Sequence, residues 1–308
     1  MSADLYTNQD SNVRKTWVLM GLFLVFIMGI GWFLSYLYND QSILYIAVIF
    51  SLLMNIFSYW HSDKIVLKMS GAKPVKREEY FDLYNAVENL SITAGLPMPK
   101  VYVIQDDAPN AFATGRNKNH SAVVVTSGLL TLLNKNELEG VIAHELAHIG
   151  NRDILLQTIV VTLVGVLTLL SDWMVRGALR GKKGGDSNGG KFEIILLIVG
   201  VVLVILSPLI GKLIQLAISR KREFLADSTG AMLTRYPEGL ASALEKISGY
   251  DGQIKKANHA TAHLYISNPF KNNKNGKVGF MKKAFMTHPP IPERTSALRG
   301  TINSEVIA

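Results

Sequence analysis

Apolar residues in this chain collect into long runs separated by polar stretches. Four of these runs are long enough to cross a bilayer, which takes about 20 apolar residues. They cover approximately 16–37, 43–60, 154–173 and 192–219. The first run is too long for a signal-peptide core, and no small-residue cleavage site follows it, so we expect it to remain as an anchor. The pattern predicts two transmembrane hairpins.

Outside the hairpins the pattern is that of a folded α+β domain. "REEYFDLYNAVENLSITAGLP" has helical spacing, and "KVYVIQ" and "SAVVVTSG" are typical of strands, with a loop predicted at "PNAFATGRNKNH". We expect SAVVVTSG to be the sheet edge along which a peptide could lie. "NKNELEGVIAHELAHIG" predicts a helix with Asn136 as N-cap and Glu139 completing a capping box. Two further helices are predicted before and after Pro237.

The chain is therefore predicted to be a multi-pass α-helical membrane protein with an α+β domain. Its parts are a membrane hairpin (1–60), an α+β part (61–153), a second hairpin (154–219) with a Gly-rich loop (181–190), and a helical part (220–308).

The distribution of basic residues predicts which side of the membrane the soluble parts occupy. Arg14 and Lys15 precede the first run, and five basic residues follow the second. The only charged residue in the turn between the two runs is Asp40. By the positive-inside rule the soluble parts are cytoplasmic. A basic loop at 176–191 disagrees, because an even number of crossings would place it outside.

Composition excludes several kinds of site. The chain has no cysteine, which leaves His, Asp and Glu as possible metal ligands. The net charge of +8 could indicate nucleic acid. In a protein with several spans, however, basic residues usually face anionic lipid, so we expect no nucleic-acid partner.

The segment "HELAH" has the spacing of a metal-dependent hydrolase. On a helix, His144 and His148 lie one turn apart on one face and can bind a single ion. Glu145 lies beside them, in the position of the carboxylate that takes a proton from the metal-activated water in zinc hydrolases.

The third ligand distinguishes the classes of zinc peptidase. A metzincin would need Gly at position 151 and His at 154, where this chain has Asn151 and Ile154. A gluzincin takes a glutamate from a later helix, and "KREFLAD" offers Glu223, with Asp227 one turn on. We expect Glu223 to be the third ligand and Asp227 to hold a ligand imidazole by its other nitrogen.

These ligands flank the second membrane hairpin. A single ion can be shared only if that hairpin returns both ends to one side, which places the metal within about 10 Å of the membrane surface. The basic loop then lies on the far side. A hairpin that crosses the bilayer only in part is the alternative.

"PNAFATG", "VVVTSGLL", "ELEGVIAHELAHIGNRD", "REFLADSTGA" and "HPPIPER" occur in this order and together resemble the HtpX-type membrane-bound zinc endopeptidases. These bacterial stress-response proteases are related to the CAAX prenyl endopeptidases of the Ste24 type. The resemblance implies a cytoplasmic gluzincin domain with one Zn²⁺ on His144, His148 and Glu223, and Glu145 as general base.

The resemblance also implies residues around the reacting bond. His288 and Arg294 would approach the site and stabilise the oxyanion, and Asn110 would lie near the substrate cleft. The implied role is the hydrolysis of misfolded or damaged membrane proteins at the cytoplasmic face of the bacterial inner membrane.

Two alternatives remain open at this point. A zinc transporter or sensor would use the histidines for binding without proteolysis, although transport ligands should lie within spans. A prenyl-protein endopeptidase would use the same chemistry, but the few spans leave little room for an enclosed chamber. The sequence does not indicate an oligomeric state.

Overall fold

The computed structural model describes residues 5–181, 220–255, 261–267, 269 and 289–300. Its helices are α1 (Leu5–Tyr38), α2 (Ser42–Ser70), α3 (Phe81–Thr93), α4 (Ser127–Leu132), α5 (Lys135–Gly150), α6 (Asp153–Gly181), α7 (Arg220–Thr234), α8 (Pro237–Gly249) and α9 (Ile291–Leu298), with a 3₁₀ turn at Ala262–Leu264. Its strands are β1 (Lys73–Pro74), β2 (Lys100–Ile104), β3 (Ala111–Asn117) and β4 (His120–Thr126).

Within these described ranges, three helical segments are long and apolar enough to cross a membrane: Gln9–Tyr38, Ser42–Ser70 and Asp153–Asp172. They correspond to the first three predicted runs, and the fourth (192–219) lies outside the described residues. α2 continues as one helix across the predicted domain boundary at residue 60. The predicted helices on either side of Pro237 are confirmed as α7 and α8.

Exposed aromatic residues mark both ends of the first hairpin. Trp17 and Tyr59 stack with ring centroids 5.9 Å apart, next to exposed Trp60. Tyr36 and Tyr45 are exposed at the opposite end. Tryptophan and tyrosine concentrate at membrane–water interfaces. The helix from Trp17 to Tyr36 is about 28 Å long, close to the ~30 Å of a bilayer core, so these rings delimit the membrane-spanning part.

The sheet is covered on both faces, because the side chains of its strands alternate between two cores. Val123 and Val125 of β4 face a core shared with α3 and α5. Val124 faces a second core formed with α2 and α6, which includes Val66 and Leu156. The continuous valine run of β4 therefore has apolar neighbours on either side. The first turns of α6 are buried inside the protein.

The sheet order β1-β2-β4-β3 corrects two expectations. β4 is not the edge, since it pairs in parallel with β2 and antiparallel with β3. The two edges are β1 and β3, and β3 lies in the segment predicted as a loop. Its Ala and Gly residues have low strand propensity. Hydrogen bonding to β4 and burial of Phe112 outweigh that propensity.

The start of α5 also differs from the prediction. The N-cap is Asn134, whose Oδ1 accepts a hydrogen bond from the backbone N–H of Glu137 at 3.0 Å, while the Glu137 carboxylate accepts from the Asn134 N–H at 2.9 Å. A capping box is present, but two residues before the predicted Asn136 and Glu139. Glu137 is favoured because its carboxylate is also bound by Lys246 at 2.8 Å.

We expect Asn134→Ala to lower the free energy of unfolding by about 1 kcal/mol, the usual effect of removing such a cap. Asn136→Ala is the matched control, because Asn136 is exposed on the first turn of the same helix. Thermal unfolding of both variants in detergent measures the difference. Equal effects of the two substitutions would contradict the assignment of the cap.

Candidate metal and catalytic site

The HExxH residues lie on the buried face of α5. His144, Glu145 and His148 are each at most 5% exposed. Gly230 of α7 packs on the backbone of α5 at this point: a Cβ at position 230 would lie 3.0 Å from the backbone nitrogen of His144. Glu223 lies two turns before Gly230 on the same face of α7, so this close approach of the two helices brings its carboxylate to the histidines.

Each imidazole is fixed by a carboxylate at Nδ1. The distance is 2.9 Å from His144 to Asp227 and 3.0 Å from His148 to Asp153. An ionised carboxylate can only accept hydrogen bonds, so each Nδ1 is a donor, and in the neutral imidazole that binds a metal each Nε2 keeps its lone pair. This is the arrangement that orients histidine as a metal ligand.

The two Nε2 atoms converge on Glu223. They are 3.1 Å apart, and the Glu223 oxygens lie 3.8 Å from the Nε2 of His144 and 3.6 Å from that of His148. Donor atoms at about 2.1 Å from one tetrahedral zinc ion are about 3.4 Å from each other. His144, His148 and Glu223 form the one possible metal-binding group found among the described residues. Two lone pairs and a carboxylate directed at one point fit a divalent cation.

Without a metal the two imidazoles differ in proton affinity. Burial, together with the charges of His148 and Arg294, lowers the pKa of His144 to about 4, against the opposing effect of Asp227. Burial also disfavours charge on His148, but its hydrogen bond to Asp153 and the negative charge of Glu223 outweigh burial and raise its pKa to about 9. The pair thus holds a proton where a metal would sit, and metal binding would displace that proton.

Glu145 lies beside this cluster without belonging to it. Burial, reinforced by the negative charge of Glu223, raises the pKa of Glu145 to about 7, although nearby His148 and a backbone hydrogen bond from Ala113 lower it. A carboxyl group with a pKa near neutrality is suited to take up and release a proton. Ala113 belongs to β3, so Glu145 lies between the metal-binding group and the sheet edge.

Arg294 is completely buried behind the ligands. Its Nε and Nη2 donate to the two oxygens of Asp227 at 2.8 and 2.6 Å, and its Nη1 is 3.8 Å from a Glu223 oxygen. The charge of Arg294 lowers the pKa of Asp227, although burial opposes it. These contacts favour a role in positioning Asp227 and Glu223. The predicted role at the oxyanion stays a prediction.

Comparison with known proteins agrees with this geometry. The model of "Peptidase family M48" matches residues 78–302. The chain belongs to peptidase family M48.

Relatives of this M48 peptidase extend the match to the membrane segments. A "Protease HtpX homolog" of Thermoanaerobacter pseudethanolicus is 46% identical over 301 residues, which are 96% of this chain and 97% of the relative. Another with the same description, from Pyrococcus furiosus, is 45% identical over 92% of this chain and 95% of its own length. The crystal structure of S. mikatae Ste24p is similar with a TM-score of 0.46 and 19% identity, over 95% of this chain and 67% of that one.

The predicted HtpX-type family and the predicted enzyme class are therefore confirmed. This M48 peptidase is a membrane metallopeptidase with an α+β peptidase domain. The alternative of a transporter or sensor without proteolysis is not favoured by membership of a peptidase family.

The predicted cleft residue Asn110 contacts another part of the M48 peptidase. Its side chain donates to the Ser267 carbonyl at 2.9 Å and accepts from the Ser267 N–H at 3.3 Å. Next to it, the Ile266 N–H donates to the Ala111 carbonyl at 2.9 Å, and the Ile266 carbonyl accepts from Arg294 at 3.3 Å. Asn110 thus anchors the segment 265–267 at the start of β3. A contact with substrate stays a prediction.

Sequence reasoning missed Asp153, the carboxylate that holds His148. A signal was present, because an acid five residues after the second histidine of "HELAHIGNRD" is close to it once the helix ends. Arg152, with φ of 58°, makes the turn that brings Asp153 back. His288 lies outside the described residues, so its predicted role stays a prediction.

Proposed function

We propose that this chain is a zinc-dependent endopeptidase that cleaves polypeptide segments close to the membrane surface, with its site facing the cytoplasm. The observation that carries the proposal is the convergence of three buried donor groups, His144, His148 and Glu223, directly beside the carboxyl of Glu145.

Histidine and glutamate together are typical ligands of catalytic zinc, and three protein ligands leave a position open. Zinc bound there would act as a Lewis acid towards water and the substrate carbonyl. Glu145 would take the proton of the attacking water and pass it to the leaving amine, which is the task that its pKa of about 7 suits. Asp227 and Asp153 would keep both imidazoles oriented throughout.

The outer side of β3 is the proposed binding edge for an extended substrate. Ala111, Ala113 and Gly115 direct their backbone polar groups away from β4, as their partners show. The Ala111 carbonyl accepts from Ile266 and the Gly115 N–H donates to Thr158 at 3.3 Å. Ala113 lies between them, next to Glu145. Because the Ala113 N–H donates to Glu145, we place the main-chain pairing of the substrate at the Ala113 carbonyl.

The position of the site relative to the bilayer supports substrates near the membrane. Asn12 of α1 contacts residues directly after α5, and it precedes the aromatic boundary at Trp17 by about 7 Å of helix. The site therefore lies on the same side as the N-terminal end of α1 and the end of α2. Arg14, Lys15, Lys64 and Lys68 are on that side, which favours a cytoplasmic orientation. We propose misfolded or damaged membrane proteins as the substrates, because they expose polypeptide segments close to the bilayer.

To test the proposal, the protein is reconstituted in vesicles and given two substrates that contain the same cleavable segment. One is tethered by a transmembrane helix with the segment within about ten residues of the bilayer, and the other carries the same segment on a long soluble spacer. We expect a chelator to abolish cleavage, Zn²⁺ to restore it, and the membrane-proximal segment to be cut at least about tenfold faster. Cleavage that persists in chelator would contradict the zinc mechanism, and equal rates would contradict the membrane-proximal substrate.

A further inference from the structure

The N-terminal extension of the first membrane helix, α1, contacts the end of the HExxH helix, α5. The last carbonyl groups of an α-helix have no partner within the helix. Here the Gln9 side chain donates to the Gly150 carbonyl at 2.8 Å, and the Asn12 side chain donates to the Asn151 carbonyl at 3.1 Å. α1 therefore caps the C-terminal end of α5.

Asn12 also binds the carboxylate that orients His148. Its Nδ2 donates to Asp153 Oδ1 at 2.7 Å, while the other oxygen of Asp153 is 3.0 Å from the His148 Nδ1. Arg222, which directly precedes Glu223 on α7, donates to both Asn12 Oδ1 at 3.1 Å and Asp153 Oδ1 at 3.2 Å.

These contacts fix the orientation of the Asn12 amide. Its oxygen faces the Arg222 guanidinium, and its NH₂ group faces the Asp153 carboxylate and the Asn151 carbonyl. A reversed amide would place an oxygen against two acceptors and an NH₂ group against a cation. Asn12 is 2% exposed and Asp153 is fully buried, so water does not replace these hydrogen bonds.

From these contacts we propose that Asn12 is a positioning residue for the metal site. It holds Asp153 in the place from which Asp153 orients His148, and so the first membrane helix supplies part of the support of a metal ligand. The inference rests on the proposed zinc function, because positioning matters only if His148 binds the ion.

The test uses the full chain in detergent, with the metal removed. Asn12→Ala deletes the amide, and Asn12→Leu keeps a branched side chain of similar shape without a donor. Asn55→Ala is the matched control: Asn55 of α2 is also buried and donates to the Met20 carbonyl of α1 at 3.2 Å, but it has no contact with the site. Zn²⁺ affinity is measured by competition with a chromophoric chelator, and bound Co²⁺ is followed by its visible absorption.

We expect both Asn12 variants to weaken Zn²⁺ binding about tenfold, the lower end of the effect of removing a residue that orients a ligand. Their Co²⁺ spectra should also change. Asn55→Ala should stay within about twofold of wild type at a similar loss of thermal stability.

Wild-type affinity in both Asn12 variants would overturn the proposal, and so would an equal loss in Asn55→Ala, since that would indicate a general loosening of α1. Wild-type protein that binds no Zn²⁺ would overturn the zinc function itself and this inference with it. The two failures are therefore distinguishable.

Discussion

Glu145→Gln is expected to lower the rate of peptide cleavage about 10³-fold while zinc content stays at the wild-type level. The amide keeps the size of the side chain and can still accept the hydrogen bond from Ala113. It cannot take up a proton from water, and loss of a general base typically costs about 10²- to 10⁴-fold. Metal binding should not change, because the three proposed ligands are other residues.

Purified variants assayed in parallel for zinc content and cleavage provide the measurement. Glu139→Gln is the control, since Glu139 is a partly exposed residue of the same helix. If the Glu145 variant cleaved peptide at the wild-type rate, another group would have to be the base. If it lost zinc as well, Glu145 would have to contribute to the metal site.

Glu223→Gln is expected to have its largest effect on the metal. Removal of a group that only orients a ligand typically weakens metal binding about 10- to 100-fold, so the loss of a ligand should exceed about 100-fold. The Glu223 carboxylate lies 3.6 Å from the His148 Nε2, and its negative charge favours a cation at this point. The substitution removes that charge. Proteolysis should fall in parallel with metal content.

The informative comparison for this variant is its response to added zinc. Activity that returns at high Zn²⁺ identifies Glu223 as a ligand, whereas Glu145→Gln should remain inactive at any zinc concentration. Wild-type zinc content and wild-type cleavage in Glu223→Gln would refute the ligand assignment. Glu139→Gln serves again as the control for the removal of a glutamate charge.

The three residues that converge in the possible metal-binding group could be predicted from the sequence because each carries a local signal. His144 and His148 are related by helical spacing. Asn151 and Ile154 stand where a metzincin has Gly and His, and this indicated a glutamate from a later helix as the third ligand. The apolar runs predicted the membrane helices for the same reason, since bilayer thickness sets their length.

The edge strand and the cap could not be predicted reliably, because they depend on distant pairing. β3 has the composition of a loop, and only its partner β4 makes it a strand. Asn134 and Asn136 both have suitable acids three residues later, and the choice is decided by Lys246 and Ser242 of α8. Asn12 has no local signal at all, since its partner Asp153 is more than one hundred residues away.

The ligand helices α5 and α7 are widely separated in the chain, and this has a consequence for the protein during its own synthesis. A nascent polypeptide that has passed residue 148 but not yet reached residue 223 contains both imidazoles but neither the proposed third ligand, Glu223, nor Arg294, whose Nη1 lies 3.8 Å from Glu223 in the folded protein. Such a chain has no complete metal centre. Under the proposed function, translation beyond residue 223 is therefore the earliest step at which proteolytic competence could arise, and products that end before it would lack the proposed third ligand.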